Sequence, residues 1–318
     1  MYIMGDSNLI FIDSNIYLRF YDSNASEFKR LLYSLSEIKD NILVTSQVVG
    51  EIDKNKLRVF SDSLKTYFVE KAINKSFLPE HFDGDIERIK NWNEKLKQLL
   101  NDARSLNKEL DLILNDLLID VAFSKDQVSL LLNGIFSSPI FPTIDEIEQA
   151  QLRKSLGEPP GKPGNSIGDA LNWVVLLRFA KQIDHLWIVT NDQDYFSEYC
   201  GRQFLNPYML KEILTQNPRI SVSIFNKLSN ALQEFNELHA IQSLPNGSDL
   251  QVILSEEPDT HLHPNWKAKA SGPQNFEDVY CPMCHYRGVF HLGEINSKDG
   301  LKIHCLCPAC EMNFYVEG

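Results

Sequence analysis

The sequence predicts an α/β protein built on a parallel sheet, with a long helical insertion and a small β domain at its C-terminal end. Three observations predict it. Short apolar runs alternate with segments of helical periodicity, the pattern of a parallel sheet. Between the second and third of these runs lies a seam of apolar residues spaced three and four apart. Five of the six cysteines crowd between Cys281 and Cys310. In boundaries, residues 1–240 form the α/β domain, with the insertion over about 54–150. Residues 241–275 are read as a linker and 276–318 as the small β domain.

The first strand is "NLIFID", 8–13, an apolar run that ends on Asp13. Helical spacing follows through "SNIYLRFYDSNASEFKRLLYSLSEI". A second strand runs from Ile42 to Thr45, and Ser46 is the expected N-cap of the helix after it. The insertion seam comprises Ile89, Trp92, Leu96, Leu99, Ala103, Leu106, Leu110, Ile113, Leu117 and Val121. It predicts one helix of about 35 residues or more, roughly 50 Å long. Such a helix serves either as an arm folded on its own domain, against residues 60–75, or as a coiled-coil contact with a second copy. "LGEPPGKPGNS" is a Pro/Gly loop, "IGDALNWVVLLRFAKQ" a helix and "LWIV" a strand ending in "TNDQD". A short helix near 207–215, a strand "ISVSIF" and a helix "NKLSNALQEFNELHAI" complete the domain.

Composition narrows the function classes. Apolar residues at 43% and charged residues at 23% belong to an ordinary globular chain. The opening "MYIMGDSNLIFID" lacks a basic n-region, and "ALNWVVLLRFA" is too short and too interrupted to span a bilayer. A cytoplasmic protein without membrane contact is expected. The net charge of −12 opposes broad, non-specific nucleic-acid binding, yet leaves room for a nuclease whose acidic site is neutralised by divalent metal.

Four acids occupy comparable places: Asp13 ends the first strand, and Glu51 lies early in the helix after the second. Asp169 opens the helix after the Gly-rich loop, and Asp192 follows the "LWIV" strand. In a parallel sheet the strand carboxyl ends and the following helix amino ends share one edge, so these side chains are expected to converge. Like charges that close repel, and an all-oxygen set suits Mg²⁺ or Mn²⁺. One or two such ions can activate water for displacement at phosphorus. Lys54, Lys56 and Arg58 follow Glu51; Lys54 and Arg58 share a helix face and either meet substrate phosphates or pair with acids such as Asp62.

"FIDSN", "VVGEIDKNK", "GDALNW" and "VTNDQDYF" together resemble the ordered acid motifs of the PIN-domain nucleases, in the branch with a long helical insertion. "NPYMLKEI" after the last motif resembles that branch too. The resemblance implies a Rossmann-like α/β/α fold, with Asp13, Glu51, Asp169 and Asp192 as metal-binding acids. It also implies hydrolysis of an RNA phosphodiester by metal-activated water. Asn15 matches the polar position beside the first acid, Thr190 or Asn191 would shape the last corner, and Asp194 matches a second acid of the last motif, in support. A DNA or flap-type nuclease, or a non-catalytic scaffold binding protein or RNA, remains the alternative. A toxin-like or defence role follows from family analogy alone.

The cysteines form Cys281-x2-Cys284 and Cys307-x2-Cys310, with 22 residues between the pairs. This spacing resembles a zinc ribbon, in which four thiolates hold one structural Zn²⁺. Cys305 stands as the alternative to Cys307. Residues 276–318 hold six acids against three bases, so a protein partner suits the ribbon at least as well as nucleic acid. "VILSEEPDTHLHPNW" looks like the acidic side of an ATPase site, but no GxxxxGK[ST] loop accompanies it.

Overall fold

The computed structural model describes residues 8–22, 25–65, 86–161, 167–199, 202–257, 266–269, 283, 290–297, 300–306 and 312–317. Strand β1 (Asn8–Ile12) is the pivot of the main sheet. It pairs in parallel with β2 (Ile42–Leu43) on one side and β3 (His185–Val189) on the other. Strand β6 (Ser221–Phe225) continues the sheet in parallel beside β3, and β7 (Trp266–Lys269) closes that edge antiparallel, giving the order β2-β1-β3-β6-β7. The parallel strands are almost continuously apolar and buried: Leu9–Ile12, Leu186–Val189 and Val222–Phe225 all lie in the core. Parallel strands covered on both faces are expected to read this way.

The crossovers supply the helices. Helix α1 (Ser14–Leu18) follows β1, and α2 (Leu31–Glu37) precedes β2. Helix α3 (Ser46–Leu64) packs on α1 and on α7 (Gly168–Ala180). The N-cap of α3 is Thr45, not the expected Ser46: the Thr45 hydroxyl accepts from the Val48 N–H at 3.1 Å. Both residues are cap formers; Thr45 takes the role because its extended backbone still belongs to the strand end, whereas Ser46 is already helical. The free edge of β2 is covered by Ile140, whose N–H donates to Val44 and whose carbonyl accepts from Ser46. Helix α7 is buried almost all round, with Trp173, Val175 and Leu176 in the main core. That is the pattern of an interior helix.

The insertion is led by α4 (Ile86–Ala122), a single helix of 37 residues. It is followed by α5 (Gln127–Ile135) and α6 (Ile144–Leu156). Helix α6 opens on a capping box formed by Thr143 and Glu146. Of the stretch 60–75 expected to receive α4 as a folded arm, the part in α3 is described and α3 packs on α4, while residues 66–75 lie outside the described residues. After β3 come a hairpin, β4 (Phe196–Tyr199) with β5 (Arg202–Leu205), and helix α8 (Pro207–Gln216).

Helix α9 (Leu228–Asn236) packs on β6 and β3. The stretch expected to begin a linker instead carries α10 (Gly247–Glu256) and then β7. Its acids have structural work. The Glu257 carboxylate accepts from the Leu228 and Ser229 N–H groups and from the Ser229 hydroxyl, capping α9, whose own N-cap residue Lys227 makes no side-chain cap. Glu256 accepts from the Glu27 and Phe28 N–H groups in the same manner. In the described part of that stretch the acids cap helices, which agrees with a chance likeness to an ATPase site. His261 and His263 lie outside the described residues.

At the C-terminal end, β8 (Phe290–Ser297), β9 (Gly300–Leu306) and β10 (Asn313–Glu317) form an antiparallel sheet in the order β10-β9-β8. Cys305 is buried in β9, facing Phe314 of β10 in the register. Cys281, Cys284, Cys307 and Cys310 lie outside the described residues. Among the described residues no helix is long and apolar enough to cross a membrane.

Candidate active site

Strand order reverses at β1: the chain goes outward to β2, then crosses back to lay β3 on the other side. Open α/β sheets offer a crevice at the carboxyl end of such a switch point. Asp13 and Thr190 stand there side by side. The Asp13 N–H extends the ladder to the Val189 carbonyl at 2.9 Å, and the Thr190 N–H does so to Phe225 at 2.9 Å. The carboxylate of Asp13 is buried and held by three donors. The Ser14 N–H donates to Oδ1 at 2.7 Å, while the Asn15 side-chain amide and the Thr190 hydroxyl each donate to Oδ2 at 2.7 Å.

The remaining acids are tied to this anchor by short polar links. The Ser14 hydroxyl donates to Glu51 Oε2 at 2.6 Å, and Gln47 donates to Glu51 Oε1 at 2.7 Å. The Asp192 N–H donates to Thr190 Oγ1 at 3.0 Å, and the Asp194 N–H donates to Asp192 Oδ1 at 3.0 Å. Asn15 also reaches the far strand, its Oδ1 accepting from the Asn191 N–H at 3.3 Å. Asp169 sits in the first turn of α7, where the helix dipole favours negative charge. Helix α7 is in turn fixed to α3 through Thr45, whose hydroxyl donates to Asn172 Oδ1 at 2.6 Å in a fully buried pair.

The electrostatics of the corner are those of uncompensated acids. Burial pushes the Asp13 carboxyl up to about 6, against the pull of its Thr190 and Ser14 hydrogen bonds, with Glu51 and Asp192 adding repulsion. Burial likewise pushes Asp169 up to about 7, reinforced by Asp13, Asp192, Glu51 and Asp194. Tyr195, fully buried beneath them, is held well above the ordinary tyrosine range by the same desolvation and the same four acids, Asp13, Asp169, Asp192 and Glu51. Each acid thus lies within electrostatic reach of the others. Among the described residues no three His, Cys, Asp or Glu side chains are drawn together closely enough to enclose an ion. A divalent cation fits the donor set: its ligands would all be hard oxygens, and its charge would offset the burial and the repulsion that raise Asp13 and Asp169.

Hydrogen bonds link Asp13, Glu51 and Asp192 to Ser14, Asn15, Thr190, Asn191 and Asp194, and Asp169 lies within electrostatic reach of these acids. The structure does not bring in all three bases. Lys56 is buried, paired with Asp53 at 2.8 Å and bonded to Ser124 at the foot of α4. Arg58 is exposed and lies 3.9 Å from Asp62, the pairing foreseen for a solvated face. Lys54 is exposed on α3. Three contributors escaped the sequence reading, among them Gln47, which donates to Glu51. Ser14 joins the first two acids, and Asn172 locks the helix of the third to the helix of the second. "DSN" and "GDALNW" contained both residues, but a hydroxyl or an amide one turn along announces nothing until its partner's position is known.

A family model of the PIN domain matches residues 10–195, more than half of the chain and the whole span from the first acid to the last. The chain belongs to the PIN domain family. Comparisons with curated proteins and with solved structures gave no match.

Proposed function

We propose that this PIN domain protein is a metal-dependent endoribonuclease. The observation that carries the reading is the coupled acid corner at the sheet's switch point, where Asp13 and Asp169 are raised by burial and mutual repulsion. Asp13, Glu51, Asp169 and Asp192 would hold one or two Mg²⁺ or Mn²⁺ ions. Such ions supply charge neutralisation at the scissile phosphate and activation of water for in-line attack. The chain's own residues supply placement. Asn15 and Thr190 fix the rotamer of Asp13, Ser14 and Gln47 aim Glu51, and the Thr190–Asp192–Asp194 turn sets the last carboxylate. Lys54, exposed on the helix that carries Glu51, is the base we assign to substrate phosphate. RNA is the substrate favoured by family.

The test compares wild type with Asp13→Asn and Asp169→Asn on labelled single-stranded RNA and DNA, with Mn²⁺ or Mg²⁺ and with EDTA. Metal-dependent RNA cleavage that both substitutions abolish supports the proposal. Cleavage surviving both would refute the site, DNA-selective cutting would move the assignment to a DNA nuclease, and no cleavage of any substrate would leave a binding scaffold.

We also propose that Cys281, Cys284, Cys307 and Cys310 hold a structural Zn²⁺. The paired CxxC spacing in the sequence supports this. Metal analysis should find about one zinc per chain. Finding none in protein purified without chelator would overturn it.

A further inference from the structure

Among the described residues, the insertion helix carries an exposed apolar surface. Helix α4 is held at its C-terminal end, where Val121 enters the main core, and Ile89 and Leu96 near its start are also buried. Between them Leu99, Leu106, Leu110, Ile113 and Leu117 are exposed by 41–65%. Together with Ala103 they step by three and four residues, which places them on one seam of the helix. A continuous apolar stripe of this length is uncommon on a monomer and marks a contact surface.

Charge says what covers it. From Ile86 to Lys108 the helix bears six bases (Arg88, Lys90, Lys95, Lys97, Arg104, Lys108) against three acids (Glu87, Glu94, Asp102). From Glu109 to Ala122 it bears Glu109, Asp111, Asp116 and Asp120 and no base at all. One half is therefore basic and the other acidic. Two copies aligned in parallel would set like halves together, whereas two antiparallel copies set the basic residues 86–100 against the acidic residues 109–122, on either side of a central stretch that faces itself. Antiparallel pairing also centres the stripe on itself: with the two-fold axis near residues 104–105, Leu99 layers against Leu110 of the second copy and Ala103 against Leu106. A seam that is apolar along its length and self-complementary in charge selects a second copy of itself over a partner of single-signed charge.

We infer that α4 mediates homodimerisation as an antiparallel coiled coil. The surface lies apart from the acid corner, so its failure and the failure of the nuclease reading are separable. The experiment measures the mass of the full-length protein in solution by light scattering across a concentration series. The set comprises wild type, Leu106→Lys/Ile113→Lys and the charge reversal Glu109→Lys/Asp111→Lys/Asp116→Lys, with circular dichroism and thermal melting as folding controls. Wild type should be a dimer, and both variants should be folded monomers. The charge reversal separates the two orientations: it makes the whole helix basic and so breaks an antiparallel pair, whereas a parallel pair merely exchanges one like-charge clash for another. A monomeric wild type, or a dimer that the leucine and isoleucine substitutions leave intact, overturns the inference. A dimer broken by those substitutions but not by the charge reversal overturns the antiparallel arrangement. Association that requires added RNA also overturns it.

Discussion

The carboxyl edge of the sheet and the α4 arm each leave something exposed to an unfavourable interaction, and they do so in opposite ways. At the sheet edge the side chains are acidic: Asp13 is buried, Glu51, Asp169 and Asp192 are partly buried, and hydrogen bonds hold Asp13, Glu51 and Asp192 in place. Asp13 alone receives three hydrogen bonds, and still burial lifts its carboxyl to about 6. On α4 the side chains are apolar and exposed over five positions of the seam. The first arrangement calls for a cation and the second for a surface. A region whose carboxylates are fixed by hydrogen bonds is suited to chemistry, since its geometry is set before a ligand binds. A region that is regular yet uncovered is suited to assembly.

The largest expected effect breaks the first half of this contrast. Asp13→Asn should lower metal-dependent cleavage by at least about 10²-fold while leaving the fold intact, as read by cleavage rate and circular dichroism. The same substitution should stabilise the metal-free protein at pH 7 by about 1–3 kcal/mol, because it removes a charge that folding buries. Greater loss of stability than gain would show that Asp13 is a structural residue first.

Next in size is the link between the helices that carry Glu51 and Asp169. Thr45→Val removes the α3 cap and leaves the Asn172 carbonyl oxygen without its hydroxyl partner. A loss of about 2–3 kcal/mol in denaturant unfolding is expected, with activity falling along with it. A neutral result would mean that α7 is positioned by packing alone.

Stability against pH sharpens the comparison further. In the unfolded chain an aspartate titrates near 3.8, whereas native Asp13 and Asp169 titrate near 6 and 7. The native state therefore binds more protons between about pH 4 and 7, and the metal-free protein should lose stability as pH rises through that window. Saturating Mn²⁺ should flatten the trend at its upper end. A metal-free protein that gains stability from these groups over the same range would contradict the electrostatic picture. The smallest effect concerns the bases. Lys54→Ala should raise the KM for RNA severalfold with little change in melting temperature, while Lys56→Met should lower stability and leave KM nearly unchanged.

Legibility in the sequence followed the same division. The strand-end acids could be read because an apolar run closing on a carboxylate is a local pattern, and the parallel topology then brings distant runs to one edge. The α4 helix could be read from its period, and the 37-residue span agrees with the seam. What could not be read depends on partners far along the chain. Lys56 looked like a phosphate contact until Ser124, 68 positions away, was seen to hold it. Helix α10 was hidden because only Leu250 and Ile253 are buried among polar and turn-forming neighbours. Glu257, in a stretch that resembled an ATPase site, proved to be a cap for a helix that begins 29 positions earlier.

The most direct test of the account is a Mn²⁺ titration of the purified protein at pH 7, followed by calorimetry and by the melting temperature. Wild type should bind Mn²⁺ and melt at a higher temperature as it saturates, by an amount equivalent to about 2.7 kcal/mol at a hundredfold excess over Kd. In Asp13→Asn and Asp169→Asn that shift should largely vanish while both proteins remain folded. An undiminished shift in the two variants, or none in wild type, would contradict a cation-binding corner.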